Sequence, residues 1–202
     1  MPAEKKALTP EIHLEFKPLT PENWPEFEKL FGPKGACGGC WCMWWRLKRS
    51  DFEKQKGKEN KQAMKKLVHS GKIPGIVGYF NDQPIAWCSI APRKDFILLD
   101  RSRILKPIDD KPVWSVVCLF VAKPFRRRGI TPSLLRASIT FASETGAKII
   151  EGYPIDTKKD NYPVVFASTG LYPAFIKAGF KECARRSKTR PIMRFFIEEE
   201  IQ

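Results

Sequence analysis

Residues 113–132 read Val-Trp-Ser-Val-Val-Cys-Leu-Phe-Val-Ala-Lys-Pro-Phe-Arg-Arg-Arg-Gly-Ile-Thr-Pro, an apolar stretch followed by a basic turn and a helix-start signal. An apolar run of this length bounded by turn residues is a buried strand, and strand, turn and helix in that order constrain the fold to an α/β arrangement. Arg126, Arg127 and Arg128 precede Gly129, which tolerates a positive φ or a close backbone approach. Thr131 is a suitable N-cap and Pro132 a suitable first helical residue, so a helix is expected from 132 to about 145, with Gly146 as its stop. The unpaired amides and positive dipole end of such a helix favour a phosphate or pyrophosphate, so a phosphate-bearing ligand is expected here.

The remaining patterning supplies the partners of that strand. Residues 12–19 alternate as a half-buried strand does, and 21–31 place Trp24, Phe27, Leu30 and Phe31 at helical spacing before Gly32. A second helix is expected over 57–70, ending at Gly71, and a hairpin over 75–91 turning at Asn81 and Asp82. Residues 95–105 read as helical, 148–153 as a strand reached by a crossover, 171–177 as a short helix, and 180–186 and 192–197 as the last two strands.

A chain of 202 residues is expected to form one domain with one good core. No apolar run approaches the ~18 residues of a membrane span, and residues 1–6 carry no secretory h-region, which points to the cytosol. Six cysteines are then expected as reduced thiols. The net charge of +14 attracts polyanions, either nucleic acid or a nucleotide cofactor. Basic residues are spread along the chain without a zinc-finger or RNP signature, so nucleic acid is not the expected partner.

The Arg126-Arg127-Arg128-Gly129-Ile130-Thr131 turn, the Val121-x-x-Pro124 lead-in and the Ala178-Gly179-Phe180 step some fifty residues later together resemble the GNAT superfamily of N-acetyltransferases. Thr131 stands where the family pattern has a small residue. The resemblance spans nearly the whole chain. It implies an α/β fold with a central mixed sheet flanked by helices, and transfer of an acetyl group from acetyl-CoA directly to a primary amine. By the same resemblance, Leu119, Phe120 and Val121 lie along the pantetheine arm on a strand that splays from its neighbour, and Arg126, Arg127, Arg128, Gly129, Ile130 and Thr131 hold the pyrophosphate. Dimers are common in the family. Residues 40–46, Cys-Trp-Cys-Met-Trp-Trp-Arg, also resemble a segment of one GNAT subgroup.

Acetyl transfer to an amine requires a base for the amine proton and an acid for the leaving thiolate. Glu151, inside an apolar strand where burial raises a carboxyl pKa, is the candidate base; the alternative is an edge or ion-paired carboxylate. The family often places its acid, a tyrosine, four residues before the glycine of the Gly-Phe pair, and here that residue is Phe175. Tyr172 is the substitute candidate, against the alternative of a packed tyrosine. Loss of the acid also fits a module that binds acyl-CoA without turning it over.

Cys37, Cys40 and Cys42 have a spacing that grips zinc in other settings, but a structural site needs a fourth ligand and none lies nearby, so no metal is expected. Trp41, Trp44 and Trp45 are expected to pack a lid or acceptor wall between the first two helices, with Cys40 and Cys42 as small buried side chains. Cys88, Cys118 and Cys183 read as core. Cys118 is placed to face a thioester as a nucleophile, but the sequence supplies no base beside it.

Overall fold

The computed structural model describes residues 14–157 and 167–197. Strands β1 (Leu14–Pro18), β2 (Gly75–Phe80), β3 (Gln83–Pro92), β4 (Trp114–Val121), β5 (Ile149–Gly152), β6 (Lys181–Arg185) and β7 (Pro191–Phe196) join one sheet in the order β1-β2-β3-β4-β5-β7-β6. Among the described strands only β4 and β5 run parallel, joined by the crossover helix α5 (Ile130–Glu144), and the other strand pairs are antiparallel. The mixed α/β sheet expected from the sequence is therefore present.

The hairpin turns at Asn81 and Asp82, with φ of 47° and 59° as a two-residue primed turn requires. Helix α1 (Trp24–Phe31) starts three residues later than the pattern suggested, and helix α3 (Lys58–His69) matches its expectation. Between them a short helix, α2 (Arg49–Lys54), was not foreseen, because its one buried apolar side chain, Phe52, gives no periodicity. The helix expected over 95–105 shrinks to a 3₁₀ turn at Arg93–Asp95 and one helical turn, α4 (Ile97–Asp100), followed by turns. Helix α6 (Tyr172–Lys177) completes the set.

Two apolar layers sandwich the sheet. On one face α5 buries Leu134, Leu135 and Phe141 against Cys88, Val116 and Ile150. On the other, α1 and α3 bury Phe27, Phe31, Met64 and Val68 against Val77 and Trp87, and Trp41 stacks on Phe31 with ring centroids 5.6 Å apart. Each such aromatic pair adds ~0.5–1.5 kcal/mol beyond the area it buries. Cys88 belongs to the first layer, whereas Cys183 lies exposed on β6, contrary to its assignment to the core. An edge strand with one face in water lets a lone apolar residue point outward, which the pattern of a short strand does not reveal.

Candidate active site

The site begins with a defect in β4. Its register against β3 passes from Cys118 opposite Ser89 to Val116 opposite Ile90, leaving Val117 as the extra residue of a β-bulge. Pairing with β5 stops at the same level, at Val116 opposite Gly152. Beyond this point β4 and β5 part, and the opening is filled by residues 167–170, whose Ser168 carbonyl accepts a 2.7 Å hydrogen bond from the Leu119 amide. The splay implied by the family resemblance is thus built by a bulge and by the shortness of β5.

Two cavities flank the splay and share walls at Leu119, Val121, Arg126 and Ala167. The first, of about 370 Å³, continues past Arg127, Gly129, Ile130 and Thr131 to the start of α5 and to Lys177 of α6. Gly129, not Thr131, is the N-cap of α5, with a left-handed φ of 76°, and Thr131 and Pro132 lie inside the first turn. The glycine wins the position because only it enters the left-handed region without cost, and no side chain caps the amides that follow. A Cβ added to Gly129 would meet nothing within 4 Å, so the turn faces open space.

Arg126 is held in place by a 2.8 Å hydrogen bond from its Nε to the Val121 carbonyl, with its guanidinium 5.9 Å from the Phe120 ring centroid. Arg128 stacks over Phe125 and lines neither cavity. Phe120 faces the second cavity. Lys177 carried no sequence signal, since a basic residue ending a short helix is ordinary.

The second cavity, of about 300 Å³, lies on the face of α1 and is lined by Phe31, Phe120, Cys37, Cys40, Cys42 and Cys118. The cysteine segment reaches it through an unusual backbone: Ala36, Trp41 and Cys42 take φ of 64°, 45° and 60°, in a region that non-glycine residues rarely adopt. Gly35 makes this possible, because a Cβ there would fall 2.4 Å from Trp41 Nε1. The expected aromatic wall is partly realised, with Trp41 buried on α1 and Trp44 packed edge-on against Phe52. Among the described residues, no group of three or more His, Cys, Asp and Glu side chains is arranged to hold a metal ion.

The thiols interact. Cys42 Sγ accepts a 3.2 Å hydrogen bond from Trp87 Nε1, and Cys118 lines the same cavity wall. Burial raises the Cys42 pKa, but its polar neighbours Cys118, Trp87 and Ser89, with the nearby Arg46 guanidinium, outweigh it and bring the thiol below its ordinary value. Cys118 shifts the opposite way, first through the neighbouring Cys42 thiol and then through burial. Cys40 is pushed up to about 11, chiefly by burial.

The two residues named for proton transfer lie elsewhere. Glu151 sits opposite Ser115, four residues before Leu119 and so ~13 Å back along β4. It is 1% exposed, and both its oxygens are engaged: Oε1 by Arg93 Nη1 at 3.3 Å and Tyr153 Oη at 2.9 Å, Oε2 by Arg194 Nε at 2.9 Å. This is the ion-paired alternative. Tyr172 lines neither cavity; its ring lies 5.8 Å from the Arg185 guanidinium carbon, beside Glu182 of β6. Phe175 is fully buried between Gly152 and Gly170, either of which would collide with its ring if given a Cβ. Asp156 pairs with Arg185 at 2.8 Å, and His69 ends α3 exposed; His13 and Asp160 lie outside the described residues.

The model of the Acetyltransferase (GNAT) family matches residues 41–165, more than half of the chain. The chain belongs to the GNAT acetyltransferase family. Solved structures agree on the fold of this GNAT chain. A GNAT acetyltransferase from Streptococcus agalactiae superposes with a TM-score of 0.54 at 12% identity, covering 92% of this chain and 96% of its own. One from Listeria monocytogenes gives 0.54 at 7% identity, covering 91% and 95%. The PaiA N-acetyltransferase from Thermoplasma acidophilum, solved with coenzyme A, gives 0.50 at 13% identity, covering 92% and 99%. No match was found among curated protein sequences. No described helix of this GNAT chain is long and apolar enough to cross a membrane.

Proposed function

We propose that this protein transfers the acetyl group of acetyl-CoA to a primary amine. One observation carries the proposal: two cavities on opposite faces of the sheet meet at the splayed, amide-bearing edge of β4, one ending at an uncapped helix start among Arg126, Arg127 and Lys177. The first cavity suits a pyrophosphate at Gly129 and a pantetheine arm along Leu119 and Val121, with the thioester at the shared wall. The second then receives the amine from the α1 side, so that donor and acceptor meet across the strand. The neighbour solved with coenzyme A supports the choice of cosubstrate.

Within this proposal Glu151 is assigned to the architecture, because a carboxylate bonded to two arginines and a tyrosine at the level of Ser115 has no path to the amine. Tyr172 is likewise assigned to packing against β6. Calorimetry on the reduced protein tests the cofactor: acetyl-CoA and CoA are expected to bind, with ATP and a short DNA duplex as polyanion controls. Equal response to all four would leave only a basic surface. Binding followed by no turnover on a panel of amines would instead favour a non-catalytic acyl-CoA module, the alternative that Phe175 raises.

A further inference from the structure

We infer that the acceptor is an arylamine, a primary amine attached directly to an aromatic ring and taken up in its uncharged form. This rests on the proposed acetyl transfer and on the second cavity as the acceptor's side. Three observations converge, and the first is the wall. Phe31, at the end of α1, and Phe120 of β4 meet there with ring centroids 5.7 Å apart and planes tilted by 44°, and Leu119 and Val121 extend the apolar surface. A flat ring makes offset and edge contacts with both phenylalanines. The cavity's volume of about 300 Å³ exceeds the ~150 Å³ of an apolar cavity that holds benzene, which leaves room for the ring, its amine and a substituent.

The second observation is charge. Among the described residues, the fixed charge on this wall is Arg126, at the end shared with the first cavity, where the thioester is proposed to lie. An ammonium approaching the thioester would exchange its water for phenyl rings and thiols and then meet a guanidinium, which is unfavourable on both counts. The thiols do not reverse this. Burial holds Cys40 protonated, and Cys118 is shifted in the same direction. Cys42, whose pKa is lowered, is 3% exposed and has its sulfur bonded to Trp87 Nε1, and the Arg46 guanidinium, which does not line the cavity, offsets its charge.

The third is proton transfer. Glu151 is ion-paired at the level of Ser115 and Tyr172 lines neither cavity, so neither residue can deprotonate an incoming ammonium. With a lysine-like pKa of ~10.4, roughly one alkylamine molecule in 2,500 is uncharged at pH 7. An arylamine shares its lone pair with the ring and is uncharged throughout the neutral range, so it is ready to attack without a base. Its nitrogen attacks the thioester carbonyl carbon, the bond from that carbon to the CoA sulfur breaks, and the nitrogen, now positively charged, gives one proton to the departing thiolate. The products are an N-aryl acetamide and CoA, with no redox change and no further reactant. The same proton supplies what Phe175 cannot.

The experiment compares aniline, benzylamine, cyclohexylamine and spermidine as acceptors for the reduced full-length protein between pH 6 and 9, with acetylated product measured by mass spectrometry and acetyl-CoA binding by calorimetry on the same samples. Aniline and cyclohexylamine match in size and differ in charge, whereas benzylamine keeps the ring and restores the charge. The expected result is a kcat/KM at pH 7 at least ~10-fold higher for aniline than for the other three. The values for benzylamine and cyclohexylamine are expected to rise ~10-fold per pH unit, as the uncharged fraction does, while that for aniline does not. F31L is expected to raise the KM for aniline by ~10-fold with acetyl-CoA binding unchanged. C37E, which adds a carboxylate to the same wall, is expected to narrow the gap between aniline and benzylamine. Benzylamine, cyclohexylamine or spermidine acetylated as fast as aniline at pH 7, or a flat benzylamine profile, overturns the acceptor class and leaves acetyl transfer standing. Acetyl-CoA binding with none of the four amines acetylated overturns the acceptor class and leaves the cofactor site standing. Absence of acetyl-CoA binding overturns both. The comparison of amines uses the unmutated protein, so it is independent of whether a variant folds.

Discussion

The Leu119 amide donates to the Ser168 carbonyl across the gap between β4 and β5, at 2.7 Å. The residue expected to face the pantetheine arm therefore already has a partner, supplied by the segment that leads to α6. A ligand lying along this edge has to replace Ser168, and the replacement is a conformational step preceding or following contact. Stopped-flow tryptophan fluorescence with increasing acetyl-CoA is expected to give an observed rate that levels off at high concentration. A rate that stays linear up to the limit of mixing would mean that residues 167–170 do not move out of the way.

Gly129 separates folding from binding. Its φ of 76° makes a side chain cost ~1–2 kcal/mol, yet a Cβ there meets no neighbour within 4 Å, so G129V is expected to fold. The valine would occupy the open side of the helix start, where the phosphates are proposed to lie. Calorimetry is expected to show acetyl-CoA binding weakened by at least ~10-fold, or 1.4 kcal/mol, in a protein whose melting curve drops only a few degrees.

Restoring the family's tyrosine is expected to fail. The Phe175 Cζ lies 2.9 Å from where a Gly152 Cβ would stand, so a hydroxyl on that carbon runs into β5 and leaves a buried polar group without a planned partner. F175Y should lose ~1–3 kcal/mol of stability, read by urea unfolding, with no rise in turnover. A gain in kcat at unchanged stability would show that the tyrosine position still communicates with the thioester.

The fold was largely legible because its signals are local. The Asn81-Asp82 turn, Gly32, Gly71 and Gly146 each sit where a positive φ is needed, and the apolar run of β4 has the length and flanks of a buried strand. The site was less so. Arg126 and Gly129 carry a turn that sequence alone identifies, whereas the bulge at Val117 depends on register against β3, which no single strand encodes. Glu151 illustrates the difficulty. A carboxylate in an apolar strand fits either a base or an ion pair, and only Arg93 and Arg194, arriving from the turn after β3 and from β7, decide between them. The cavity wall that Cys42 shares with Cys118 was hidden for the same reason, since it joins a strained loop to a central strand.

That ion-pair assignment predicts the behaviour of E151Q. Removing one partner of a buried pair leaves the other charge uncompensated, which costs ~3–5 kcal/mol. Arg194 retains Asp109 at 2.6 Å, so the lower part of that range applies. Chemical denaturation should show this loss, while the pH profile of kcat/KM for the folded fraction stays where it is in the parent protein. A shifted profile would return Glu151 to the chemistry.

Asp109 gives the same network an acid limit. Its hydrogen bond from Arg194 holds the carboxyl down at about 2, below the ~3.9 of an unperturbed aspartate. A depressed folded-state pKa means that the unfolded chain binds the proton first, so the contribution is full above pH ~4 and fades as pH falls towards 2. D109N lacks that contribution at every pH. Melting temperatures of the two proteins are therefore expected to differ at pH 6, with the variant lower, and to converge between pH 4 and ~2. A gap that stays constant through this range would mean that the bridge to Arg194 does not stabilise the fold through its charge.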